Sequence, residues 1–309
     1  MAIDADVIVE RRRLKRSRAL WRLVALAVLV VLVAAPLIQQ GVIRTRHVAR
    51  IEIVGIIDDT PVLPAAIDDI ADDDSAEALI VAIDSPGGTV TGSEAIYDAL
   101  RRVSAQKPVV AVMGATAASG GYIVALGADH ILARRNTITG SIGVLMQAME
   151  FSGLMEKVGV SVTEVKSAPL KGEPSMFKPL DPKAREATQV LIDDAYDWFL
   201  EIVESRRAIP PAQARVLGDG RAFSGKQAVE QKLIDGLGDE HTAKKWLKSQ
   251  YGLSENLPVR TVNPYRRQSF LGSLEGSLGQ LALTALTGKT LESKRLTLDG
   301  LVAIWHPGL

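Results

Sequence analysis

The strongest pattern in the chain is one unbroken apolar run. Ala19 to Ile38 is a stretch of 20 residues whose only charge is Arg22. At a rise of about 1.5 Å per residue, a helix of that length crosses a hydrocarbon core of about 30 Å. The run is apolar on all sides, and Arg11, Arg12, Arg13, Lys15, Arg16 and Arg18 come just before it, which does not suit a buried core helix. Trp21 fits a membrane interface, and Arg22 can extend its charge out of the apolar layer. Only Arg44, Arg46 and Arg50 follow closely, so the positive-inside rule predicts a cytoplasmic N-terminus and a body outside the cytoplasmic membrane. A cleaved signal peptide is the competing reading, with Val33-Ala34-Ala35 as its cleavage site. Pro36 would follow that cut directly, and the run exceeds the roughly 7–15 residues of a signal core. The expectation is a basic segment 1–18, a transmembrane anchor 19–38 and a linker 39–50.

Beyond the linker, short apolar runs alternate with helical periodicity. EALIVAI (77–83) reads as a buried strand, a brief apolar run bounded by turn residues. In SEAIYDALRRVS, Ala95, Ile96, Ala99, Leu100 and Val103 recur at helical spacing. KPVVAVM (107–113) predicts a second buried strand, GGYIVALGA a helix opening on a glycine pair, and HILARRN (130–136) a third strand. VSVTEVK (160–166) alternates and predicts a further strand. Such alternation implies parallel strands joined by crossover helices, a layered α/β domain over about 51–250. Asp181 and Pro182 are a good N-cap and first residue for a long helix. Along it Ala187, Val190, Leu191, Ala195, Trp198, Phe199, Ile202 and Val203 form one apolar stripe, suited to a core or a subunit interface. Residues 251–309 read as an extension, with SLEGSLGQLALTALTG a weak helix of open packing partner.

Composition removes several classes of function. The 309 residues are 47% hydrophobic with a formal net charge of zero, but the first 50 hold ten Lys/Arg against three Asp/Glu. The body therefore carries −7 and offers nucleic acid no basic face. There is no cysteine, hence no thiol nucleophile and no thiolate metal ligand. His47, His130, His241 and His306 are scattered without metal spacing, so neither a metal nor a cofactor is expected.

Two stretches suit chemistry. In IDSPGGTV (83–90), Pro86 fixes the backbone, and Gly87-Gly88 permit positive φ and close approach. Such a turn can aim N–H groups at a carbonyl oxygen; it is also an ordinary strand-to-helix turn. In ATAASGGYIVALGAD (115–129), Ser119 precedes Gly120-Gly121 at a strand-to-helix junction. Free N–H groups and the helix dipole favour negative charge there, as the oxyanion of acyl transfer requires. The same serine could be a small packing residue. A nucleophilic serine needs a base. Neither His130 nor His241 sits in a context that suggests a triad. A lysine can serve if burial keeps its amine neutral. KSAPLKGEP offers Lys166 and Lys171, each by itself an ordinary surface lysine.

DSPGG, MGATAASGGYIVALGAD, TGSIGV, VKSAPLKGEPS and DGRAFSGKQAVEQKLIDGLG, in this order, resemble the bacterial signal peptide peptidase A family over about residues 48–245. The likeness is to its short, single-copy form. The resemblance implies a crotonase-like α/β fold related to the Clp protease subunit, and a Ser–Lys serine peptidase. It makes Ser119 the nucleophile and Lys171 the general base, with Lys166 the first lysine of the motif. It makes the backbone N–H groups of Gly88 and Gly120 the oxyanion hole, and Ser141 a residue that orients the lysine. Pro169 and Leu170 depart from the smaller or polar residues expected in the lysine loop. The implied activity is a membrane-anchored endopeptidase that cuts remnant signal peptides and other apolar peptides, without a metal or other cofactor. The substrate would add as a strand beside the segment after SPGG. The single-copy form implies a ring-like homo-oligomer in which serine and lysine meet across a subunit boundary. The alternatives are a crotonase-like acyl-CoA enzyme, such as a hydratase, and a non-catalytic membrane scaffold on the same fold. Cytoplasmic CoA argues against the first, and the joint presence of serine, lysine and both glycine turns against the second.

Overall fold

The computed structural model describes residues 21–28, 45–267 and 302–304. Residues 21–28 are helical (α1). The rest of the expected anchor 19–38 and the weak helix 273–288 lie outside the described residues. Among the described residues no helix is long and apolar enough to cross a membrane. By its contacts the chain divides into Met1–Arg46 and His47–Leu309, and the second unit holds every other element.

That unit opens with β1 (His47–Ile57), α2 (Val62–Ala71), β2 (Ala76–Thr89), α3 (Val90–Ser104), β3 (Val109–Ala118) and α4 (Gly120–Leu126). The first three strands pair in parallel, as crossover helices require. β2 is apolar on both faces. Leu79, Val81 and Ile83 join the main core with α2, α3 and α4, while Ala78 and Ile80 pack with Ala243 and Leu247 of α9 (Glu240–Tyr251). A parallel strand covered by helices on both sides reads as a continuous hydrophobic run for this reason. Thr89 caps α3 by accepting from the Gly92 N–H at 3.2 Å, and Ile96, Ala99, Leu100 and Val103 form its buried face.

β3 forks. Its residues 110–113 pair with β4 (His130–Ala133), and 116–118 with β5 (Ile138–Gly140). β5 pairs antiparallel with β6 (Ala222–Ser224), and β4 pairs with β7 (Gly236–Leu237). β8 (Val259–Thr261) extends the sheet beyond β1, and β9 (Val302–Ile304) lies antiparallel on β2. The remaining helices are α5 (Ser152–Lys157), α6 (Pro182–Arg207), α7 (Pro211–Leu217) and α8 (Gly225–Glu230).

The structure differs from the sequence reading at four places. β1 starts at His47, so Val48 and Ala49 of the expected linker are buried sheet residues. The expected turn at 84–89 is extended: β2 runs on to Thr89, with an irregular register after Ile83. Residues 160–166 form no strand, and Val160, Val162 and Val165 are exposed. Alternation specifies a strand only where a sheet edge accepts its ladder, and none among the described residues does so here. α6 begins at Pro182 under an Asp181 cap, but only part of its stripe is covered. Phe199, Ile202 and Val203 are buried, while Val190 and Leu191 stand exposed.

Candidate active site

β3 delivers Ser119 to the start of α4. Ser119 has φ 55° and ψ −118°, a conformation that L-residues avoid. Its N–H donates to Gly140 O at 2.8 Å, which fastens the elbow to the end of β5. The next residue there, Ser141, also has positive φ (49°), and its N–H donates to Arg221 O at 2.9 Å. Packing alone does not explain a serine at such a position. Glycine would fit the space and relieve the strain, so a serine at φ 55° is a costly choice that a use for the hydroxyl would explain.

The neighbouring glycines have separate tasks. A Cβ at Gly121 would come 2.8 Å from Ser85 O, so Gly121 lets α4 close onto β2. Gly120 is the first residue of α4, and its N–H has no acceptor one turn back in the helix. At Gly88 a Cβ would sit 1.9 Å from Ile57 O, where β1 and β2 approach closely. The segment before Gly88 is held rigidly. The Gly87 N–H donates to the buried Ser85 hydroxyl at 3.1 Å, and the Thr116 N–H donates to the Asp84 carboxylate at 3.0 Å. α4 is anchored from below by Tyr122, fully buried, whose hydroxyl donates to Leu233 O at 2.7 Å.

Ser119 and Gly120 therefore lie beside the Gly140–Ser141 end of β5, and Ser85, three residues before Gly88, closes onto Gly121. The lysines do not join them. Among the described residues no hydrogen bond links Ser119 or Ser141 to Lys166 or Lys171. Lys166 is committed elsewhere, with its Nζ 2.8 Å from Glu164 and 2.7 Å from Glu173. Lys178 engages the same two carboxylates. Hydrogen bonds donated to Glu164 and then Glu173 raise the Lys166 ammonium above the ordinary lysine range, and Lys166 followed by Lys178 holds Glu173 below the ordinary carboxylate range. A lysine so held stays protonated and has no lone pair to take a proton. Lys171 lies exposed in the loop beyond, its N–H donating to Ala168 O at 3.1 Å.

The sequence reading did not foresee the Gly140 carbonyl, the Asp84 clamp or the carboxylate pair around Lys166. β5 and β6 are three residues each, too short for periodicity to register; the glycines flanking Ser141 in TGSIGV were the available signal.

Fold and elbow together define an α/β protein with a strained serine at a strand-to-helix junction. The model of Peptidase family S49 matches residues 101–254. The chain is 41% identical over 211 residues to a candidate protease of Synechocystis sp., a match covering 67% of this chain and 76% of that protein. It is 38% identical over 175 residues to Protease 4 of Haemophilus influenzae (56% of this chain, 28% of that one). It is 32% identical over 206 residues to the chloroplastic serine protease SPPA of Arabidopsis thaliana (66% and 30%). Among solved structures, a mutant of the 1510-N membrane-bound stomatin-specific protease aligns with a TM-score of 0.46 at 18% identity, over 71% of this chain and 99% of that one. The protein belongs to peptidase family S49.

Proposed function

We propose that the protein is a membrane-anchored serine endopeptidase of crotonase/Clp-like architecture that uses a Ser119–Lys171 dyad on apolar peptides, remnant signal peptides among them. The observation that carries this reading is the strained Ser119 elbow between β3 and α4, with the first N–H of α4 at Gly120 following it and its own N–H tied to Gly140, the neighbour of Ser141. In the first step Ser119 Oγ bonds to the scissile carbonyl carbon while neutral Lys171 takes the hydroxyl proton. The carbonyl oxygen becomes an oxyanion held by the N–H groups of Gly88 and Gly120. Collapse breaks the C–N bond, and the lysine ammonium gives its proton to the leaving amine. Water, deprotonated by the same lysine, then adds to the acyl carbon; the bond from that carbon to Ser119 Oγ breaks, the acid product leaves, and the lysine ammonium returns its proton to Oγ. Ser141 orients the lysine. Membership of a peptidase family supports this reading over an acyl-CoA enzyme, and Ser119 in its strained elbow supports it over a non-catalytic scaffold.

The lysine comes from a neighbouring subunit of a ring-like homo-oligomer. Supporting this are the exposure of Lys171 and a band of uncovered apolar side chains on the same stretch, including Met149, Phe151, Leu154, Val165 and Leu170. A groove of about 790 Å³ between residues 146–149 and α6, lined by Met146, Met149, Leu180 and Ile192 among others, continues that band. The apolar run 19–38 supports an anchor in the cytoplasmic membrane, with the N-terminus inside and the catalytic unit outside.

A serine-directed fluorophosphonate probe tests the reading. It should label the wild-type chain at Ser119 and leave Ser119→Ala unlabelled. Labelling at another serine, with Ser119→Ala still hydrolysing peptides, would remove the nucleophile assignment.

A further inference from the structure

A strand in a sheet has two edges, and those of β2 change owners along its length. On one edge β1 stays paired as far as Ile57 opposite Gly88. On the other, β3 pairs as far as Ala117 opposite Ser85 and then turns away into Ser119 and α4. Residues 87–89 therefore present an open edge on the side of the Ser119 elbow. An extended peptide adding there would run beside Gly88 and past the serine, in the position proposed above for the substrate.

That edge is already filled by the chain itself. β9 pairs antiparallel with it, Ile304 opposite Gly87, Ala303 opposite Gly88 and Val302 opposite Thr89, and it also approaches α4. The occupying sequence, Val-Ala-Ile, is small and apolar, of the same class as the proposed substrate. Ser119 keeps only 1% of its surface exposed, so a carbonyl cannot reach its hydroxyl until something moves.

We infer that residues 302–304 are a built-in competitor for the peptide site, an occupant that must leave β2 before an apolar peptide can add in its place. The inference rests on the proposed function for the identity of the displaced ligand. The docking of β9 does not. Two strands cannot pair with one edge at the same time, so the apparent peptide affinity is reduced by the fraction of chains in which β9 is docked. Backbone pairing, which tolerates many sequences, holds both occupants. Relief by a long or abundant apolar peptide follows directly, and short polar peptides gain little against an intramolecular strand.

The test is Ala303→Pro in the full chain. Proline removes a ladder N–H and is excluded from the interior of an antiparallel pair. Hydrogen exchange is read by mass spectrometry over residues 85–90, and peptide hydrolysis is read alongside it. Exchange over 85–90 should accelerate roughly tenfold or more in the variant, as expected when a local pairing is lost. KM for an apolar peptide should fall about threefold or more with kcat unchanged. Adding a synthetic peptide of residues 299–309 to the variant should restore protection and raise KM, and the same peptide carrying the proline should do neither. Unchanged exchange in Ala303→Pro would overturn the docking, whether or not the protein is a peptidase. Faster exchange with an unchanged KM would overturn the competition. A purified wild-type chain found by mass to be cut within 301–309 would also overturn it, since the segment would then be a consumed substrate. Faster exchange with no hydrolysis by either protein would keep the docked strand and count against the peptidase reading instead.

Discussion

Around Ser119 the chain is closed: Ser119 is 1% exposed, and Tyr122, Ile123 and Val124 of α4 are fully buried. From 145 to 180 it is open: Val165 is 97% exposed, and Met149, Leu154, Val158, Leu170 and Met176 also face outward. The Ser119 side is finished within one chain. Its strain at Ser119 is held by β5, by the Ser85 contact with Gly121 and by the Tyr122 anchor. The lysine side makes few such contacts. It holds itself together by charge, through Lys166, Lys178, Glu164 and Glu173. Local packing fixes the Ser119 elbow, whereas the apolar surface around Lys171 has no cover among the described residues, and in the proposed function a neighbouring subunit supplies it.

The largest expected effect is at the closed side. Ser119→Ala should lower kcat/KM by roughly 10³–10⁶-fold, with the thermal transition essentially unchanged because the volume is kept. A drop in thermal stability of the same variant would mean that the hydroxyl serves packing. On the open side, Lys171→Met should cost roughly 10²–10⁴-fold, the range of a general base. Lys166→Met should leave most activity and loosen the loop, because Lys166 balances two carboxylates. The reverse order would exchange the roles of the two lysines. Val165→Asp puts a charge into the uncovered band and should shift the assembly toward smaller species by light scattering, with activity falling in parallel. A monomer as active as the assembly would break the comparison at its base.

The smallest effect is on pH. Glu164 and Glu173 are held low by Lys166 and Lys178, so their stabilisation is present above the unfolded carboxylate value of about 4.3 and is lost as pH falls through the lower folded values. Lys166 is held high, so its contribution is present below the unfolded lysine value of about 10.4 and is lost as pH rises through the higher folded value. Exchange protection over 160–180 should accordingly stay level from about pH 5 to 9 and weaken in stronger acid, before the Ser119 elbow is affected. Simultaneous loss of both regions in acid would show that the charge cluster does not hold the loop separately.

The same division explains what could be read from residues alone. β2, β3, α3 and α4 are local: their buried faces follow period or continuous apolarity, and Asp181-Pro182 marks the start of α6 directly. Ser119 was visible because glycines follow it at a strand-to-helix junction. Residues 160–166 misled because Val160, Val162 and Val165 alternate without an edge to join. The continuation of β2 through Pro86-Gly87-Gly88 was hidden because turn residues there serve an extended segment whose outer edge is taken by β9, more than 200 residues later. No period reports a pairing between such distant residues. The role of Lys171 came from resemblance alone, and its exposed place in the loop gives the role no contact within the described residues.

Complementation between two inactive variants tests the shared site most directly. Ser119→Ala and Lys171→Ala are purified separately, shown to be inactive, dissociated, and assembled together, with mixed oligomers verified by native mass spectrometry. An intact Ser119 on one chain should meet an intact Lys171 on the next, so peptide hydrolysis should return to a measurable fraction of wild type, rising to a maximum near equal proportions. Verified mixed oligomers that stay inactive at every proportion would show that serine and lysine must come from the same chain.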